Sequence, residues 1–268
     1  MSNPAVTHRR RAFSLAECLV VIAIIVTLTA LLVPAVTANK NAGDITKATY
    51  DVAGVLENAR AYAMANNTYV WVGFYEEDAS RPTTKPTATS GTGRIVLSTV
   101  ASKDGTNIYN KSSFSTGATT ALAPASLIQV GKLVKIENAH LKTASVNDSL
   151  FPLGDGTGES FATRPPVNST EAQFGDTSPP AASCALAFPY PVGSAATAQY
   201  TFKKVIQITP RGEVCFLKAY PGYCKYAITP VLEIGLQPTR GTLVNATNPN
   251  VAAIQITGIL GNVKTYRR

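Results

Sequence analysis

Glu17 is the one charged side chain in an otherwise apolar run over residues 13–36, and its placement demands a chemical explanation before any other residue does. A carboxylate near the centre of a hydrocarbon layer costs roughly 2.5–3.5 kcal/mol, so a lone acid in such a run calls for a specific partner. The four cysteines divide into Cys18 inside that run and Cys184, Cys215 and Cys224 far downstream. Cys215 and Cys224 flank the turn-rich stretch 219–223. A disulfide closing that loop is one reading, and three reduced, partly buried thiols is the other. His8 and His140 are the only histidines and no C-x-x-C is present, which leaves no zinc pattern. Asp155, Glu159 and Asp176 lack the regular spacing of a calcium loop. His140 falls in an expected strand and reads as an ordinary surface or edge residue. No glycine-rich phosphate loop or activated nucleophile is present either. The expectation is a protein that is not an enzyme, with no catalytic, metal or cofactor-binding residues. Lys264, Arg267 and Arg268, together with Arg211 and Arg240, form a basic patch for nucleic acid if they gather, and merely solvate the domain if they do not.

Composition and pattern indicate which elements position these residues. In 268 residues, 45% are apolar and only 15% charged, which suits an exported domain behind a membrane segment. The formal charge is +8, and Arg9, Arg10 and Arg11 stand together just before the apolar run, where they read as a positive-inside anchor. Residues 13–36 are long enough for a transmembrane helix, and Pro34 should bend it. Ile45, Ala48, Val52, Val55, Leu56, Ala59, Tyr62 and Ala63 then recur at the three-and-four spacing of one helix face, predicting an amphipathic continuation over 37–67 that ends at Asn66-Asn67.

β patterns follow at 69–75, 94–100, 133–141, 200–209, 213–217, 231–236, 252–257 and 263–266. Pro210-Arg211-Gly212 and Gly261-Asn262 supply turns between them. The Gly-, Pro-, Ser- and Ala-rich tract 143–198 reads as a large surface insertion. The fold class expected is α+β, a long N-terminal hydrophobic helix packed on an antiparallel β-sheet domain. Residues 1–12 form a leader, 13–36 the membrane helix, 37–67 its amphipathic continuation and 68–268 the exported domain.

The segment Arg9-Arg10-Arg11-Ala12-Phe13-Ser14-Leu15-Ala16-Glu17 resembles the processing motif of type IV pilins and type II secretion pseudopilins. In that family a basic leader ends in a small residue, usually Gly, where this chain has Ala12. Phe, a small or hydroxyl residue, Leu, any residue and Glu follow. The resemblance implies a pilin-like fold, cleavage by a prepilin peptidase between Ala12 and Phe13, methylation of the Phe13 amine, and an assembly role for Glu17. The succession of strands after residue 200 is similar to the globular domain of pseudopilin H and the minor pilin T/U group. Cleavage before Phe13 would set a cationic amine about one helical turn from Glu17. Pairing that amine with Glu17 of a neighbouring subunit offsets both desolvation costs and fixes axial register.

The function so implied is a structural, minor subunit of a type IV pilus or type II secretion pseudopilus. Its partners would be other pilin or pseudopilin subunits, the prepilin peptidase and the inner membrane, with the N-terminus cytoplasmic and the C-terminal domain periplasmic. The alternatives are an exported adhesin or nucleic-acid-binding minor pilin, or a soluble β-domain released by an ordinary signal peptidase at Val36-Thr37-Ala38. A plain signal anchor and a lipoprotein cleaved before Cys18 complete the alternatives.

Overall fold

The computed structural model describes residues 15–81, 88–108, 118–167, 173–174, 184–193, 197–220 and 223–268. Side chains at 31–41, 118–120, 173–174, 184–185, 219 and 223 also lie outside that description. One helix, α1, runs Leu15–Ala65. Fifteen strands follow it among the described residues. In chain order they are β1 Val70–Asp78, β2 Gly93–Ser102, β3 Ala118–Ala121, β4 Leu127–Glu137, β5 Ala139–Lys142, β6 Gln173–Phe174, β7 Cys184–Tyr190 and β8 Tyr200–Phe202. They continue with β9 Lys204–Ile208, β10 Val214–Tyr220, β11 Tyr223–Ile228, β12 Val231–Arg240, β13 Leu243–Val244, β14 Ala252–Thr257 and β15 Val263–Arg267. The chain divides into two compact units, residues 1–40 and 41–268.

Within the larger unit, the first sheet has the order β11-β10-β9-β1-β2-β4. The second runs β13-β12-β14-β15, with β5 and β6 also pairing to β12, and a small third sheet runs β3-β7-β8. Pairing is antiparallel except for β3 with β7 and β6 with β12. The helical residues 41–65 bury Ile45, Ala48, Val52, Leu56, Ala59 and Ala63 against both large sheets, meeting Val72, Phe74 and Leu97 from the first and Leu141, Ile234 and Ile254 from the second. The predicted three-and-four spacing is therefore the spacing of the buried face. The helix stops where the sequence indicated. Asn67 adopts a left-handed φ of 47°, and the Thr68 N–H donates to the Ala63 carbonyl, satisfying one of the last helical acceptors.

The opposite face of the first sheet carries a second core, with Trp71, Val96 and Val100 under Phe188, Tyr200 and Phe202. Because β1 is covered on both faces, Val70 to Phe74 are all buried, and the segment reads as a continuous apolar run instead of an alternation. A third core on the outer face of the second sheet joins Phe151 and Phe161 to Val251, Ala253 and Tyr266.

Several expectations require correction. The described chain is mostly antiparallel β-sheet, and the α+β, pilin-like arrangement of a long hydrophobic helix on one sheet is not its fold. Although α1 is 51 residues long, only its start is apolar; residues 41–65 are amphipathic and belong to the β-rich unit. Among the described residues no helix is long and apolar enough to cross a membrane. The transmembrane helix over 13–36 and the single-pass inner-membrane placement are withdrawn on that ground.

The tract 143–198 also differs from a plain surface insertion, since its Ala144, Phe151 and Phe161 are buried in the third core. The strand expected at 133–141 is two strands, split at Asn138, whose φ of 60° hands the chain from the first sheet to the second.

Candidate functional site

In the N-terminal unit the described side chains, residues 15–30, are all exposed. Leu19, Val20, Val21 and Ile22 occupy successive positions about 100° apart, so they sample every face of the helix, and each is at least half exposed. Thr27 and Thr29 turn their hydroxyls back onto the carbonyls of Ala23, Ile24 and Ile25 at 2.7–3.0 Å, which removes the polar groups they would otherwise present. What remains is an apolar cylinder with one acid. Glu17 lies on the same face as Val20 and Val21, beside Ala16, as the three-and-four spacing requires. Ala12 and Phe13, the expected processing residues, lie outside the described residues. Pro34 lies within the bounds of α1, but its side chain is outside the description, as is any bend it causes.

The larger unit holds three polar constellations. The first is a cleft of about 610 Å³ in which Glu76 Oε1 lies 2.6 Å from His140 Nδ1 and accepts the Leu141 N–H at 3.2 Å. Glu76 comes from the first sheet and His140 from the second, so the pair fastens one to the other. His140 is thus mostly buried and hydrogen-bonded, not the ordinary surface or edge residue its sequence context suggested.

The second is Arg94, which donates from Nε to Glu137 at 2.6 Å and from Nη1 to Glu77 at 3.1 Å. Tyr200 reaches Glu77 from the opposite side, and burial together with that carboxylate pushes its hydroxyl pKa up. The third is Arg164, fully buried between the rings of Phe151 and Phe161, with two hydrogen bonds to Glu233 at 2.7 and 3.1 Å. Nη1 also donates to the Phe161 carbonyl and Nη2 to the Pro152 carbonyl, and Gln255 donates to Glu233 as well. Arg164 escaped the sequence reading because it stands in a turn-rich tract with no periodicity; the flanking Phe151 and Phe161 were the available signal.

The expected disulfide is corrected too. Cys215 is a free, buried thiol, whereas Cys224 is disulfide-bonded, so the two are not joined to each other. In the β10–β11 ladder Cys224 faces Ala219 and Cys215 faces Ile228. Four residues of strand, about 13 Å, separate Cys215 from the position opposite Cys224, well beyond the reach of an S–S bond. Burial raises the Cys215 pKa to about 12.

The five cations grouped as a candidate nucleic-acid patch do not all gather, and Lys264, Arg267 and Arg268, which lie on β15 or directly after it, are engaged in contacts of their own. Arg211 lies in the turn beside Gly212, close to Gly261, whereas Arg240 ends β12 at its opposite extremity, roughly 30 Å of strand away. Lys264 pairs with Glu159, Arg267 donates to the Ala42 carbonyl, and Arg268 donates to the Ser149 and Leu150 carbonyls. Among the described residues no group of three His, Cys, Asp or Glu side chains could hold a metal ion.

Fold and site together define a mainly antiparallel β protein with a helical start whose described apolar side chains are uncovered. Comparison with protein-family models, with curated proteins and with solved structures finds no match to this chain.

Proposed function

We propose that this chain is a structural, non-catalytic subunit of a type IV pilus or type II secretion pseudopilus, cut before Phe13 by a prepilin peptidase and held in the filament through the helical start of α1. The observation that carries the reading is the ring of exposed apolar residues from Leu15 to Leu28 surrounding one acid. Burying nine such side chains, each at least half exposed, is worth on the order of 10 kcal/mol or more before the costs of association, enough to drive helices of several copies together. Glu17 is the polar mark on that surface. Pairing it with the freed Phe13 amine of a neighbour selects one axial offset among the many that apolar contact alone allows. The reading rests on these N-terminal residues and on the motif 9–17, not on the β-rich unit, which supplies bulk suited to a minor, tip-proximal position.

The test is intact mass and N-terminal analysis of the protein recovered from cells, combined with a Glu17→Gln variant. A chain beginning at methylated Phe13, whose Glu17→Gln form is cut normally but missing from sheared filament fractions, is the expected outcome. A chain beginning at Asn39 means an ordinary secreted protein, and normal incorporation of Glu17→Gln removes the pairing role.

A further inference from the structure

Arg60 lies in the last two turns of α1, within the larger unit. Two glycine turns close over its stem. Gly212 and Gly261 adopt positive φ values of 79° and 63°, and a Cβ at either would fall 3.0 or 2.6 Å from Arg60 Nε, so only bare backbone leaves room for this side chain. The enclosure buries Nε, yet among the described residues that N–H has no hydrogen-bond partner. Glu57, one turn earlier, lines the same pocket but forms no ion pair with Arg60 among the described residues. A buried donor left without an acceptor costs free energy that an arriving acceptor returns, and a carboxylate matches a guanidinium best.

The pocket that Arg60 lines holds about 370 Å³, room for the end of a peptide but not for a folded element. Its walls also include Met64 and the turn at 261–263. Met64 is 43% exposed, and Ile259 and Leu260, the two residues before Gly261, are 69% and 60% exposed. Apolar surface thus adjoins a cation that lacks a partner. Glu57 repels a second negative charge, which disfavours phosphate and runs of acidic residues.

We propose that this pocket receives the free C-terminal end of a partner protein whose last residue is apolar, with its α-carboxylate on Arg60 and its side chain against Met64. At a chain end the carboxylate and the last side chain leave one Cα, so together they reach two residues four apart on one helix face. An internal acid does not, because its apolar neighbours point to the opposite side of an extended chain. The proposal concerns the β-rich unit alone and survives if the filament reading fails.

The test uses the full-length chain in a non-ionic detergent and a short peptide ending in valine and leucine, labelled with fluorescein at its amino terminus and followed by fluorescence anisotropy. Saturable binding is expected, weakened about tenfold or more in Arg60→Gln through loss of one charged hydrogen-bonded contact. The same loss is expected when the peptide's C-terminus is amidated, a change that leaves the protein untouched. Unchanged circular dichroism of the variant serves as the folding control. The proposal is overturned by absence of binding up to about 1 mM peptide, by equal affinity of Arg60→Gln, or by equal binding of the amidated peptide. Equally effective competition by hexanoate, or by an amidated peptide with an internal glutamate, also overturns it, since the pocket would then take carboxylates of any source.

Discussion

Arg164 and Glu233 show how much a single buried pair can carry in this protein. Arg164 is fully buried, with donors to Glu233 and to two carbonyls and aromatic rings beside its guanidinium. Replacing it by Met strands a buried carboxylate, and we expect a loss of about 3–5 kcal/mol in urea unfolding. Combining Arg164→Met with Glu233→Met should restore most of that loss, because the cost lies in the uncompensated charge. Cys215 provides a second test at this scale. Its pKa rises from an ordinary 9.0 to about 12 through burial, so iodoacetamide at pH 8 should label exposed Cys18 and spare Cys215 until the chain unfolds, as read by mass spectrometry. The sign follows from proton counting: between pH 9 and 12 the unfolded thiol has lost its proton while the folded one retains it, so stability falls as pH rises through that window. Neither property is visible from residue spacing. Cys215 and Cys224 flank an apt turn, yet the register of β10 on β11 keeps them apart.

Among the elements, β12 is the hub of the second sheet, contacting β5, β6, β13 and β14. Gly235 sits where β12 passes beneath Phe151, and an added Cβ would lie 2.6 Å from the Phe151 ring and against the Lys142 carbonyl. Gly235→Ala should therefore cost roughly 1–3 kcal/mol by overpacking, measured by thermal or denaturant unfolding. A comparable Ala substitution at Gly131, with open space around its Cβ, would act only through its positive φ. The helix contributes through its buried face: Leu56→Ala should cost about 2–5 kcal/mol in the same assay, since Leu56 is 2% exposed in the main core. The three-and-four spacing of α1 and the strand at 252–257 could be read directly, because one face of each pattern is apolar and its end is marked by Asn or Gly. The break at Asn138 could not, because a non-glycine residue at positive φ leaves no periodic trace. That break is what moves His140 onto the second sheet, within hydrogen-bonding distance of Glu76.

For the whole molecule, the clearest expectation concerns self-association. The apolar start of α1 carries large side chains that its own chain leaves exposed, so detergent dilution should drive the native protein into sedimenting assemblies. The double variant Ile22→Asp with Ile25→Asp should remain dispersed in analytical ultracentrifugation while the β-rich unit keeps its circular dichroism. Equal sedimentation of both forms would show that this helix does not drive assembly. The sequence by itself determined the local elements and their chemistry: the apolar run with its single acid, the amphipathic face that follows, most strands, and the turns between them. Those features depend on side-chain periodicity and backbone preference over a few residues, and they are written in neighbouring positions. Tertiary structure alone decided that the fold is mostly antiparallel β across three sheets. It also decided that a turn-rich tract buries an arginine, that two cysteines beside one turn do not meet, and that Arg240 stands far from Arg211. Each of these depends on strand register and sheet order, which join residues tens to hundreds of positions apart and leave no period in the chain to be read.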